Sequence, residues 1–261
     1  MVRLGDSQGQ YPLSTSLNLT AQSFQIRESC QLARKVLDTL ETLIKPGVTT
    51  DQLDLHARDL ILQNNAYPSL LNFEGFTKSI STSVNNVAAH GVPDGRPLQE
   101  GDILNVDVTV FLDGFHGDVS NTFKVGEVDR FAERLIEVTR EALSVGLEHC
   151  GPGLVVRGVG NAIHRHVKRE RLVTIPMFMG HGLGTFLHGP PDIYHCLNNI
   201  IGIMAPGMVF TVEPVVGEGG RRIKQLEDGW TWVTVDNSRT AQMEETVLIT
   251  ESGLEVLTAR I

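Results

Sequence analysis

One turn constrains this chain more than any other feature in it. Residues 105–123 read NVDVTVFLDGFHGDVSNTF, with Asp113-Gly114 between two alternating β-rich runs. Asp-Gly suits a two-residue hairpin turn, whose central residues need positive φ. That turn pairs Leu112 with Phe115, Asp107 with Ser120, and Thr109 with Asp118. Side chains alternate along a strand, so Asp107, Thr109, Asp118 and Ser120 share one face. Leu104, Val106, Val108 and Val110 take the other face and require a core. The two aspartates become diagonal neighbours, roughly 7–8 Å apart at Cα. If the first face is buried, the carboxylates repel and lose hydration unless positive charge lies between them.

The chain has 261 residues and a net charge of −9, which speaks against nucleic acid as a partner. No run of about 18 apolar residues is present, so no membrane span is expected. Cys30, Cys150 and Cys196 are odd in number and far apart, which suits a reducing compartment. The N-terminus has neither an apolar leader nor a basic, Arg-rich pattern, so neither a secretory signal nor a transit peptide is read there. The sequon at Asn18 is then a chance match.

Residues 1–20 are expected to form a loose arm and 21–261 a single domain. Ile26, Cys30, Ala33, Leu37, Leu40 and Ile44 mark an amphipathic helix ended by Pro46-Gly47. Thr49 or Thr50 caps a second helix bearing Leu53, Ala57, Leu60 and Ile61. A strand-like run over 77–89 precedes the hairpin. A second helix pair follows, marked by Leu135, Val138, Ala142 and Val145, then by Val159, Ala162, Ile163 and His166. Strand-like runs near 173–178, 208–213, 230–235 and 242–250 complete the chain. Two helices then strands, twice over, indicates two similar halves, with helices packed on a largely antiparallel sheet in an α+β domain.

The later strands bear on the aspartates. Glu213 ends an apolar strand before Pro214, and Glu244 and Glu245 lie side by side in another. Strand alternation sends those two to opposite faces without choosing between them. His181 lies in a glycine-rich stretch read as a loop, where backbone and ligand can approach closely. Each acidic residue alone reads more simply as a solvated carboxylate. Together, Asp107, Asp118, Glu213 and Glu244 carry four negative charges, which two divalent cations match. Carboxylates with one imidazole suit Mn, Fe, Co or Zn.

The stretches 78–94 (KSISTSVNNVAAHGVPD), 101–123, 180–191 (GHGLGTFLHGPP), 207–216 (GMVFTVEPVV), 228–236 and 241–250 (AQMEETVLIT) resemble the type I methionine aminopeptidases. These are metallopeptidases of the pita-bread fold, with two pseudo-symmetric halves and helices on a curved, largely antiparallel sheet. The resemblance implies that Asp107, Asp118, His181, Glu213 and Glu244 bind two divalent ions, with Asp118 and Glu244 bridging. It thereby selects Glu244 over Glu245. It implies substrate-contacting roles for His90 and His188, and a base or shuttle role for Glu213. It also implies a methionine pocket lined by Phe73, Phe76, Ser81, Leu187 and Trp230, with Leu70 nearby. The implied activity is removal of N-terminal methionine from newly made proteins whose second residue is small.

The expected partners are nascent N-terminal peptides, with the ribosome a further candidate, and the chain is expected to be a monomer. Residues 66–69, 82–86 and 95–103 look most like the mitochondrial branch, so mitochondrion is favoured over cytoplasm. The chain departs from the family at Thr77, Ser81, Ala89 and Glu245. The alternatives are a proline-directed peptidase of the same fold, which would carry a large extra N-terminal domain, and a non-catalytic nascent-chain-binding relative, which would have lost ligands.

Overall fold

The computed structural model describes residues 21–260, so the expected arm at 1–20 and its sequon lie outside the described residues. The first half contains α1 (Ala21–Glu41), α2 (Thr50–Gln63), β1 (Tyr67–Pro68), β2 (Ser81–Val84), β3 (Val87–Ala89), β4 (Ile103–Leu112) and β5 (Phe115–Lys124). The second begins with α3 (Arg130–Leu147), α4 (Arg157–Arg169), β6 (Val173–Thr174), β7 (Met179–Gly182) and β8 (Gly189–Tyr194). It continues with β9 (Val209–Val212), β10 (Val215–Gly217), β11 (Ile223–Gln225), β12 (Trp232–Thr234), β13 (Thr240–Gln242), β14 (Glu245–Ile249) and β15 (Leu254–Val256).

The β4–β5 hairpin has the register that a two-residue turn demands: Leu112 opposite Phe115, Asp107 opposite Ser120, Thr109 opposite Asp118. Asp113 and Gly114 both take positive φ, +49° and +90°. β4 is the centre of its sheet, with β5 on one side and β1 and β2 on the other, all antiparallel. Its apolar face, Leu104, Val106, Val108 and Val110, is fully buried against Ala33, Val36 and Leu37 of α1 and Leu53 and Ala57 of α2. Burial of each such side chain is worth about 1.5–3 kcal/mol, which fixes which face of the hairpin turns away from the helices. Thr49 caps α2 in a full capping box with Gln52.

In the second half, β15-β14-β9-β7-β8 form a five-stranded sheet. Val159 and Ile163 of α4 and Leu135 of α3 pack with Phe210, Val212, Val247 and Ile193 from it. The halves meet at a bridge between Ser120 and Glu244, where the Glu244 N–H donates to the Ser120 carbonyl at 3.0 Å.

Several readings change. The first helix stops at Glu41, leaving Ile44 beyond it. The run 77–89 splits into β2 and β3, which pair in different sheets. The run 242–250 breaks at Met243-Glu244, and 173–178 reduces to β6. His181 sits on β7, not on a loop. Its flanking glycines admit the neighbouring strands: a Cβ on Gly180 would overlap the Thr211 carbonyl, and one on Gly182 the Pro190 carbonyl. Such short, glycine-bearing strands have too little apolar alternation to be read as strands.

Helix α1 lies directly on the hairpin. Ser29 Oγ stands 3.1 Å from the carbonyl oxygens of both Leu112 and Phe115, either of which can accept its one hydrogen. A Cβ on Gly117 would overlap the Ser29 and Cys30 backbone. Gly117→Ala is therefore expected to cost roughly 1–3 kcal/mol in urea unfolding and to displace the adjacent Asp118. A variant as stable as the parent would show that helix and hairpin are not in fixed contact.

Candidate metal centre

The face of the hairpin turned away from the helices forms one wall of a cavity of about 570 Å³. Asp107 comes from β4 and Asp118 from β5. His181 comes from β7, Glu213 from the end of β9, and Glu244 from the junction between β13 and β14. All five line the cavity. One donor atom each from Asp118, His181 and Glu244 lies within 4.8 Å of the other two. His181 Nε2 stands 3.8 Å from Asp118 Oδ2 and 3.7 Å from Glu213 Oε1.

Neutral donors orient these carboxylates. Thr109 Oγ1 donates to Asp118 Oδ1 at 2.8 Å. Thr211 Oγ1 and Gln242 Nε2 each donate to one oxygen of Glu213, at 2.8 and 3.1 Å. Asp107 Oδ1 is sealed from solvent with no hydrogen-bond partner among the described residues. Among the described residues, no lysine or arginine lines the cavity.

The electrostatics follow. Burial, reinforced by Asp118 and Glu213, holds Asp107 well above the usual carboxylate range. Burial and the same two neighbours do likewise to Glu244. Burial pushes Asp118 up to about 6 against the pull of Thr109, and Glu213 up to about 8 against Thr211 and Gln242. Burial, then repulsion from His188, lowers His181 to about 3, so its imidazole is neutral and able to donate a lone pair to a metal. Neutral imidazole, four carboxylates and an unpartnered buried oxygen make a donor set that fits divalent cations.

The rest of the cavity wall is largely apolar. Phe73 and Phe76 come from a single 3-10 turn, Phe73–Gly75, and its exit. Phe76 packs edge-on to Trp230 at 5.1 Å, and Ser81 adjoins them on the wall. His188 stacks edge-on between Phe73 and His181, at 5.4 and 4.3 Å. His90 takes a left-handed backbone, φ +56°, uncommon outside glycine and frequent at functional sites, and meets Phe178 edge-on. Leu70 lines the cavity. Leu187 does not: it lies behind the wall in the cluster of Leu183, Val209 and Leu248.

Met177, Met179, Phe178, Pro190 and Asp192 also line the wall and were not read from the sequence, since they come from a turn before β7 and from the short strands β7 and β8, which show no period. Glu245 faces away, as strand alternation requires for one of the pair. Its carboxylate accepts from Arg34 Nη2 at 2.7 Å and from Thr258. His116 bonds Ser69 at 2.9 Å, outside the carboxylate cluster.

Residues 25–251 match the model of metallopeptidase family M24. The chain belongs to that family. It is 46% identical, over 89% of its length, to methionine aminopeptidase 1D, mitochondrial, of Homo sapiens, covering 70% of that protein. It is equally similar to methionine aminopeptidase 1D, chloroplastic/mitochondrial, of Arabidopsis thaliana, covering 67% of it. The crystal structure of methionine aminopeptidase from Rickettsia prowazekii superposes with a TM-score of 0.88 at 39% identity, over 90% of this chain and 95% of that one. The pita-bread architecture that the resemblance implies is therefore the fold. As an M24 metallopeptidase the chain is a divalent-metal enzyme. No helix among the described residues is long and apolar enough to cross a membrane.

A pH prediction follows. Folded carboxylates at about 6 and about 8 lie above the unfolded range near 4. Their stabilising contribution to metal-free protein is complete below about pH 4 and is lost as pH rises through 6 to 8. Metal-free protein should thus melt lower at pH 8 than at pH 6. Saturating Mn²⁺ should restore on the order of 5–10 °C at pH 8 and less at pH 6. A melting temperature independent of both pH and metal would contradict this assignment of the cluster.

Proposed function

We propose that this chain removes the N-terminal methionine from newly made proteins, by hydrolysing the first peptide bond at a two-metal site. The observation that carries the reading is the convergence of Asp107, Asp118, His181, Glu213 and Glu244 on a cavity whose remaining wall is largely apolar and, among the described residues, free of lysine and arginine. These five would hold the ions, Asp118 and Glu244 being the carboxylates that the resemblance assigns to both. When bound, a divalent pair supplies Lewis-acid polarisation of a carbonyl and makes water nucleophilic near neutral pH.

The chain's own groups do the rest. Glu213 lies within 3.7 Å of His181 and has each carboxylate oxygen held by a neutral donor, so it is positioned to take and return a proton. Its Oε2 is steadied by Gln242, its Oε1 by Thr211. His188 and His90 both line the cavity, and they orient the scissile amide and the substrate backbone. Phe73, Phe76, Ser81 and Trp230 take the methionine side chain, joined by Met177 and Met179. Aromatic and thioether surfaces suit a flexible thioether. Anchoring of the free α-amine beside this carboxylate cluster would restrict cleavage to chain ends. The organellar names of the two relatives, with the resemblance at residues 66–69, support a mitochondrial setting. Nascent N-terminal peptides are the substrates, and the ribosome is the place to meet them.

Met-Gly-Ala with Mn²⁺ or Co²⁺ should release free methionine, whereas Gly-Pro should be left intact. Asp107→Asn should lower kcat/KM by at least about 100-fold, since it removes an anionic group that would hold a divalent ion. Undiminished activity in that variant would remove Asp107 from the machinery. Cleavage of Gly-Pro in preference to Met-Gly-Ala would make the enzyme a proline-directed peptidase instead.

A further inference from the structure

His195 lies just beyond the end of β8 and is 2% exposed. β8 and β9 flank β7 and run in the same direction, both antiparallel to it. β7 begins at Met179, opposite Tyr194, so no strand fills the space between the ends of β8 and β9. Glu213 follows β9 at that edge, and Pro214 beyond it has no N–H to continue a ladder. The His195 ring occupies the gap. Its Nε2 accepts the Glu213 backbone N–H at 3.1 Å, inside the protein.

An acceptor at Nε2 places the proton of the neutral ring on Nδ1. Nδ1–H is drawn toward the Phe178 carbonyl, although the contact falls outside a full hydrogen bond. Thr211 and Gln242 already hold the two carboxylate oxygens of Glu213. The backbone is the remaining freedom of that residue, and His195 takes it up.

We infer that His195 is a positioning residue: it substitutes for the missing strand and fixes the Glu213 main chain, and so the place of its carboxylate between the metal site and the substrate. This rests on the reading of Glu213 as a metal-holding and proton-handling group. His195 is not among the residues that line the cavity.

The test compares His195→Leu, which removes the acceptor, with His195→Gln, whose side-chain carbonyl supplies one. Each is assayed for kcat and KM on Met-Gly-Ala and, separately, for Mn²⁺ affinity by calorimetry without peptide. H195L should lower kcat about tenfold or more with KM within about twofold, and weaken Mn²⁺ binding about tenfold. H195Q should stay within about threefold of the parent in both. H195L that loses only melting temperature, with both constants kept, would reduce the histidine to packing. H195Q as impaired as H195L while folded by near-UV circular dichroism would overturn the acceptor role. Should H195L fail to fold, His195→Met, equally without an oxygen or nitrogen acceptor but more adaptable, takes its place. The metal titration needs no peptide, so a parent that binds Mn²⁺ yet spares Met-Gly-Ala would fault the substrate reading and leave this inference standing or falling on affinity alone.

Discussion

The structure depends on an unfavourable arrangement: four carboxylates turned into one buried space with no lysine or arginine among the described residues that line it. Removing a carboxylate from water costs several kcal/mol even after relaxation, and like charges at these distances add to that. A folded chain tolerates this only if protons or cations neutralise the group. The chain places its nearby buried cation elsewhere. Arg34 lies on the far side of β14, where it holds Glu245 and the Thr258 carbonyl. Neutralisation inside the cavity is thus left to species from solution.

Everything close to the carboxylates is consistent with that division. Thr109, Thr211 and Gln242 donate hydrogen bonds without contributing charge, so they orient the oxygens and leave the electrostatic demand in place. His181 is kept neutral by its burial. The scaffold holds these groups from several directions: β4 and β5 from one sheet, β7 and β9 from another, and Glu244 at the Ser120 bridge between halves. No single loop movement disperses the cluster. Precision of this kind, with side chains carried on packed strands, is what a reaction needs when misplacement by an ångström is costly.

Much of this was legible from residues alone, for definable reasons. The Asp113-Gly114 turn fixes register by backbone sterics, so the common face of Asp107 and Asp118 followed without tertiary information. Helix periodicity located all four helices of the described residues because each buries a continuous stripe. The short strands were not legible. β7 is held by glycines that admit neighbouring backbones, a requirement that only the folded arrangement reveals. The break before Glu245 arises because Glu244 bonds Ser120 across the halves. Parity separated Glu244 from Glu245 but could not rank them. The ranking came from resemblance, and the Arg34 and Thr258 contacts now supply its physical reason. Leu187 shows the converse: its place in the sequence motif suggested the pocket wall, but its side chain joins the core behind it. His195 offered no signal, because a lone histidine after a strand reads as packing.

The central claim is that divalent cations resolve the repulsion among these carboxylates. It is tested most directly by counting them. Metal-free chain dialysed to equilibrium against Co²⁺ at pH 7.5, with bound metal measured by elemental analysis, should hold two ions per chain. Asp118→Asn, which removes a carboxylate whose oxygen lies within 4.8 Å of donor atoms of both His181 and Glu244, should bind fewer. A chain that takes up no cobalt, or an Asp118→Asn variant that takes up the same amount with the same affinity, would contradict it.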